Sequence, residues 1–197
     1  MKRHLSIGVT ILLLAVPAIA STATWQIDPS HSSFQFKIRH MMVSNVRGDF
    51  GKMTKGVIFL DDQEVSNIKA EVIIDAASIN TGHAKRDEHL RGPDFFDVPR
   101  HPTVTFVSKQ VTRVGSDKLR ATGELTIRGI TREIILDVYG LTPEIKDPGG
   151  TYRRGLTATS KINRKDFGIT WNRVLDTGGV VVGDEVEISV EIEMLRK

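Results

Sequence analysis

The chain contains no cysteine. Disulfide staples, thiolate nucleophiles and cysteine-rich zinc sites are therefore excluded, and stability has to come from burial rather than cross-links. Beyond Ala20 no apolar run approaches the roughly 20 residues that a membrane-spanning helix needs. Strong charge of one sign is missing too. Lys and Arg number 27 against 24 Asp and Glu, a formal net charge of +3, and loss of Lys2 and Arg3 would leave +1. So even a balance argues against a nucleic-acid partner. There is no internal repeat, no low-complexity tract and no linker that would separate a second domain.

One apolar run does stand out, at the N terminus. Met1-Lys2-Arg3-His4 leads into Leu5 to Val16 without a charge, followed by Pro17-Ala18-Ile19-Ala20. A basic start, an apolar stretch too short to span a bilayer and a small-residue A-x-A site read as a secretory signal. Cleavage is expected after Ala20, with Ser21-Thr22-Ala23 as a second small-residue site. Residues 21–197 are then expected to form one exported domain.

From Trp25 onward the main signal is alternation with period two, the mark of a strand with one buried and one wet face. In the last strand Val186, Ile188, Val190, Ile192 and Met194 point one way, and Glu185, Glu187, Ser189, Glu191 and Glu193 the other. A helix would scatter those carboxylates around its circumference. The same pattern puts Phe34, Phe36, Ile38, His40 and Met42 on one face of an early strand, and Ile68, Ala70, Val72 and Ile74 on one face of another. Further strands are predicted around Gly48–Leu60, Thr103–Thr112, Lys118–Arg128, Arg132–Tyr139 and Tyr152–Ile162. Arg128-Gly129-Ile130-Thr131 between two alternating runs predicts a hairpin turn. Ser78–Arg91 lacks alternation and stops at Gly92-Pro93, which predicts a short helix. The fold class is all-β: eight antiparallel strands with a short helical excursion. Such a set favours closure into a barrel, because closure removes unpaired edges. A barrel of eight strands is either filled by side chains or holds one small ligand, and the alternation does not choose between the two.

Several clusters invite chemistry. Asp28-Pro29-Ser30-His31-Ser32 brings together an acid, a hydroxyl and an imidazole. No G-x-S-x-G elbow or oxyanion-hole signature accompanies it, and a turn in which Asp28 and Ser30 bond local backbone accounts for it. No catalytic residue is assigned. Of the histidines outside the leader, His83 and His89 would lie roughly 240° apart on a helix and cannot chelate together. No metal site or cofactor is expected. His40, on the apolar face, is either a hydrogen-bonded core histidine or a polar group at a cavity mouth. In Arg86–Asp97, Leu90, Phe95 and Phe96 either dock the segment or close a cavity, with Arg86 or Arg91 near an anionic head group. Asn163–Gly168 reads as a capped turn with Phe167 as its apolar plug, and Trp171 either packs inside or lines an entrance.

The ordered set of short motifs carries more than each alone. Trp25-x-Ile27-Asp28-Pro29-x-His31-Ser32, Arg39-His40, Gly48-x-Phe50, Ser78-Ile79-x-Thr81-Gly82, Arg86-Asp87-x-x-Leu90-Arg91, Asp94-Phe95-Phe96-Asp97, Pro102-x-x-x-Phe106, Gly123-x-Leu125-Thr126-x-Arg128-Gly129-x-Thr131 and Arg164-x-Asp166-Phe167-Gly168 together resemble the YceI-like, polyisoprenoid-binding proteins. The resemblance implies a lipocalin-like barrel, a periplasmic location, and non-catalytic binding, storage or transport of a long-chain isoprenoid or fatty lipid, with a homodimer as a plausible assembly. On that reading the expected ligand contacts are Phe34, Phe36, Ile38, His40, Met42, Ile74, Leu90, Phe95, Phe96, Phe106 and Trp171. Two rivals stay open at this point: an enzyme acting on a lipid or quinone with His40 or His31 as base, and a filled barrel that acts as a stress or interaction protein.

Overall fold

A computed structural model describes residues 22–176 and 178–197. The leader read over residues 1–20 lies outside them. The chain folds as β1 (Ala23–Ile27), β2 (Ser33–His40), β3 (Ser44–Phe50), β4 (Met53–Leu60), β5 (Lys69–Asp75), β6 (Ile79–Asn80), helix α1 (Ala84–Arg91), β7 (Thr103–Arg113), β8 (Lys118–Ile127), β9 (Ile130–Tyr139), β10 (Ile145–Lys146), β11 (Tyr152–Asn163) and β12 (Val182–Arg196).

The ring β1–β4–β5–β7–β8–β9–β11–β12 is antiparallel throughout, and β12 pairs back onto β1, closing an eight-stranded barrel. β12 is the long strut. One edge pairs with β11 from Asn163↔Glu185 to Arg153↔Leu195. Its other edge takes β1 near the C terminus and β2 further up. β1 and β2 thus lie end to end, broken by Asp28–Ser32. β3 and β4 form a second such pair, broken at Gly51-Lys52.

Strand directions assign the connections to two ends. One end holds the 61–68 and 140–151 loops, the Val114–Asp117 turn and the two chain ends. The other, the mouth, holds the β2–β3 hairpin tip, the 76–102 segment with α1, the Arg128-Gly129 turn and the 168–181 loop.

The alternation of β12 is realised. Val186, Ile188, Val190 and Ile192 face the lumen, and Met194 is fully buried. Ile68, Ala70, Val72 and Ile74 do the same. Burying each large aliphatic side chain contributes about 1.5–3 kcal/mol, enough to fix a register in which a one-residue slip would turn the glutamates inward. The hairpin at Arg128-Gly129 has both residues in the left-handed region, φ 52° and 72°, as a two-residue turn with the twist of its strands requires.

Three expectations need correction. The strand read as Gly48–Leu60 is two, because Gly51 N–H and Lys52 N–H turn aside to bond Ser78 O and Ser78 Oγ. The helix begins at Ala84, not Ser78. Ile79-Asn80 pairs with β3, and His83 caps the helix through Nδ1. The alternating face of β2 stops at His40. Met41 and Met42 form a left-handed tip with φ 49° and 61°, so Met42 is exposed rather than on the inward face.

A candidate ligand-binding cavity

The inward side chains do not meet across the barrel. They enclose a cavity of ≈ 230 Å³ with an almost wholly apolar wall. Two glycines help to keep it open. A Cβ at Gly48 would lie 2.5 Å from the ring of Phe36, and a Cβ at Gly123 would lie 2.5 Å from the ring of Phe106 and 2.6 Å from Val107 O. Each ring rests against a neighbouring strand only because no side chain is there. Toward the mouth, Phe36, Phe50 and Phe96 continue as an aromatic chain, with ring centroids 6.0 and 5.5 Å apart and the second contact edge-on.

Of the polar residues along this wall, Ser108 and Arg164 are buried, and both are engaged by the protein itself. β7 bulges against β8 after Ser108, and on its β5 side Ser108 Oγ accepts from Ala70 N–H at 2.8 Å, just beyond the last β5–β7 pair, Glu71↔Val107. Arg164 is 4 % exposed. Its Nε donates to Gly183 O at 2.8 Å, its Nη1 to Ile169 O at 2.7 Å and Trp171 O at 2.9 Å, and its Nη2 to Asp184 Oδ1 at 3.3 Å. Burial lowers its proton affinity, and the Asp184 carboxylate opposes that shift. The cavity wall therefore offers packing surface and little that would orient a polar group.

The structure sorts the expected contacts. Phe34, Phe36, Ile74, Phe96 and Phe106 line the cavity. Ile38 and His40 lie further along β2, beyond the lined stretch. Leu90 packs against the core from α1, outside the lining. Phe95 is buried in a separate aromatic group, 5.0 Å from His89 and 5.3 Å from Trp171, so Trp171 packs on α1 rather than on the lumen. The head-group candidates are committed elsewhere. Arg86 donates to Thr81 Oγ1 and Thr81 O, and Arg91 to Ala77 O and Ile79 O. The cation on the wall is Arg164, read from sequence as part of a capped turn. Phe167 beside it is 1 % exposed and lines the cavity, as a plug would.

Asp28–His31 forms the turn expected of it. Asp28 Oδ1 accepts from Ser30 N–H at 2.9 Å and Ser30 Oγ at 2.5 Å, while Asp28 Oδ2 meets His31 Nδ1 at 2.8 Å. Hydrogen bonds from Ser30 and then His31 hold the Asp28 carboxyl well below the usual carboxylate range. The bond to Asp28 in turn raises His31. Asp28, His31 and Glu193 have a metal-like donor set, but Arg153 Nη1 reaches both carboxylates and supplies the positive charge there. The group sits on the outer wall. A larger open depression of ≈ 1230 Å³ over β2, β9, β11 and β12 borders the cavity, sharing Phe36, Ile134, Ile162, Phe167 and Ile188 with it, and carries the Lys37–Glu187 pair at 2.6 Å. Among the described residues no helix is long and apolar enough to cross a membrane.

Comparison with known proteins agrees with this geometry. A UPF0312 protein of Staphylococcus aureus (strain MSSA476) is 38% identical over 168 residues, 84% of this chain and 94% of the relative. The crystal structure of Burkholderia cenocepacia BcnA superposes with a TM-score of 0.74 at 24% identity, covering 85% of this chain and 98% of that one. A polyisoprenoid binding domain from Saccharophagus degradans, implicated in plant cell wall breakdown, superposes with a TM-score of 0.63 at 16% identity, covering 89% and 99%. Residues 25–194 match the YceI-like domain, nearly the whole barrel from Trp25 to Met194, and the chain therefore belongs to the YceI-like family.

Proposed function

We propose that the chain is an exported, non-catalytic carrier that holds the tail of a long-chain isoprenoid or comparable lipid inside its barrel. The observation that carries this reading is the cavity wall: apolar side chains from β2, β4, β5, β7, β8, β9, β11 and β12, with the buried polar groups Ser108 and Arg164 already bonded within the protein. An engineered cavity of roughly 150 Å³ lined by aliphatic and aromatic side chains stays dry and takes up hydrocarbon. Each five-carbon unit buried contributes about 4 kcal/mol gross, at ~0.8 kcal/mol per carbon. Ordering of the chain and incomplete burial offset much of this, so discrimination by length is loose. The polyisoprenoid binding of the Saccharophagus neighbour supports the ligand class. The basic-apolar-small leader supports export to the periplasm, where storage or transport of such a lipid is the role that fits.

The non-catalytic reading draws on the same geometry. The Ser30 hydroxyl is bonded to Asp28, and the cluster lies outside the lumen.

The test is to fill the cavity. Ala121 and Ala158 are buried and line it. Protein purified without detergent is extracted into organic solvent and analysed by mass spectrometry, for the parent and for Ala121→Phe/Ala158→Phe. A lipid of reproducible mass in the parent, reduced at least about tenfold in a variant that still unfolds cooperatively, is expected. Repeated absence of any lipid in the parent, or undiminished lipid in the filled variant, would overturn the reading.

A further inference from the structure

The mouth end carries an apolar patch that packing does not explain. At the β2–β3 tip Met41 is 43 % exposed, Met42 51 % and Val43 78 %; in the adjoining loop Val174 is 81 % exposed. The two segments are joined, since Met41 N–H donates to Val181 O at 2.8 Å and the Met42 side chain approaches Gly179. Both methionines hold left-handed backbone conformations, where asparagine or glycine is the ordinary choice. A turn shaped by stability alone would not place two large apolar side chains there and point them at water.

The patch is tied to the cavity. Arg164, on the cavity wall, clamps the base of the loop by donating to Ile169 O and Trp171 O on one side and Gly183 O on the other. Its charge has a sign as well. From Ile38 to Gly48 the hairpin holds Arg39, His40 and Arg47 and no carboxylate. Arg39 bonds only Met42 O, and Arg173 lies 6.0 Å over the Trp171 ring; neither is ion-paired among the described residues. Of the nearby acids, Asp184 is held by Lys165 and Arg164, which leaves Asp176 on the loop.

We infer that this tip is a docking surface for an anionic lipid bilayer, which the barrel touches mouth-first to load or release its cargo. Shallow apolar side chains flanked by guanidinium groups suit a membrane interface, where the aliphatic parts enter the acyl boundary and the cations meet lipid phosphates. A second copy of this chain is the poorer occupant, because a two-fold contact through the tip would set Arg39 and Arg47 against their own copies. The inference rests on the lipid-carrier reading and names the partner of that same cavity.

The experiment is vesicle flotation with the purified full chain, its N terminus fixed by intact mass so that parent and variants are compared in one processing state. Vesicles of pure phosphatidylcholine are set against mixed phosphatidylcholine–phosphatidylglycerol vesicles. The parent is expected to float with the anionic vesicles, less so at high salt. Met41→Ser/Met42→Ser/Val43→Ser/Val174→Ser is expected to lower the bound fraction on anionic vesicles at least about tenfold, and Arg39→Gln/Arg173→Gln by a similar factor. These side chains are exposed, so unfolding temperature is expected to stay unchanged and serves as the folding control. No flotation of the parent, flotation unaffected by either variant, or a concentration-dependent dimer abolished by the same substitutions would each overturn the proposal. Lipid extracted from the same preparations separates the two readings. Vesicle binding with an empty barrel removes the cargo, and a loaded barrel that ignores vesicles removes the docking surface.

Discussion

Each end of the barrel is held by a buried arginine, and the two are used differently. At the end with the chain termini, Arg154 lies 5.7 Å over the Trp25 ring, donates to Thr142 O at 2.8 Å and pairs with Asp62 at 2.6 Å. Behind it, the buried Asp61 carboxylate accepts from Gln63 N–H, Glu64 N–H and Asn67 Nδ2. That end is a plug of aromatic ring, guanidinium and tied loop. At the mouth, Arg164 has no cation–ring contact among the described residues and bonds backbone carbonyls on both sides of one loop, Ile169 O and Trp171 O at its start and Gly183 O on β12. The plug draws its strength from burial of a large apolar side chain. The clamp draws its strength from hydrogen bonds and the Asp184 ion pair, and what it holds is a loop with an exposed apolar face. The barrel is thus sealed at one end and strapped at the other, and on the proposed carrier reading the strapped end is the one through which cargo would pass.

The largest effect is expected at the plug. Trp25→Ala should cost about 3–5 kcal/mol in denaturant unfolding. Trp25→Phe should cost much less. It keeps a ring for Arg154 and removes the Trp25 Nε1–H, the one buried side-chain donor without a partner among the described residues. Equal losses for the two variants would break the idea that the stacked ring, rather than the indole donor, makes the seal.

Arg164→Met should cost about 3 kcal/mol, because it strands carbonyls that a charged donor had satisfied. The sharper readout is local. Amide hydrogen exchange should speed up in 169–183 while β7 and β8 keep their protection. Uniform acceleration across the barrel would show that the clamp serves the whole fold rather than the loop.

The smallest effect belongs to the outer wall between the ends, where His31 bonds Asp28 across the β1–β2 break. His31 is raised in the folded state, so its contribution is fully present below its unfolded value of about 6.5 and is lost as pH rises through the folded value. Asp28 is depressed, so its contribution is present above the usual carboxylate value of about 4 and falls away as pH drops below it. His31→Ala should therefore lower the unfolding temperature more near about pH 5.5 than near about pH 8.5. A difference of the opposite sign would mean that the neutral imidazole is the form the fold prefers.

Much of this architecture was legible because most strands are wet on one face. Glutamate at four alternate positions of β12, Glu185, Glu187, Glu191 and Glu193, leaves no choice of face, and Arg128-Gly129-Ile130-Thr131 between two alternating runs leaves little choice of turn. β1 was harder to see as a strand of its own, because three residues from Trp25 to Ile27 precede Asp28-Pro29. The break at Gly51-Lys52 was hidden because its cause, Ser78, is distant in sequence. For the cavity, parity identified Phe34, Phe36, Ile74 and Phe106. It failed at Met42, where the strand had already ended, and it could not tell Phe96, which faces the lumen, from Phe95, which packs on Trp171. Arg86 and Arg91 looked free because backbone acceptors leave no trace in sequence. Arg164 was obscured for the same reason. The signal that could have found it is its place in a turn that opens directly from an inward-facing strand residue, Ile162.

The long final strand also sets when this protein can come into being. β12 is the last element in the chain, yet it pairs with β1 and β2 on one edge and with β11 on the other. During synthesis the earlier strands can pair as hairpins, but the ring has two open edges until Val182–Arg196 has emerged. Loop-closure entropy over the span from β1 to β12 opposes that step, so ring closure is expected to be the late, slow phase of refolding. A chain that has not yet closed on itself stays threadable, as the proposed export across a membrane would require.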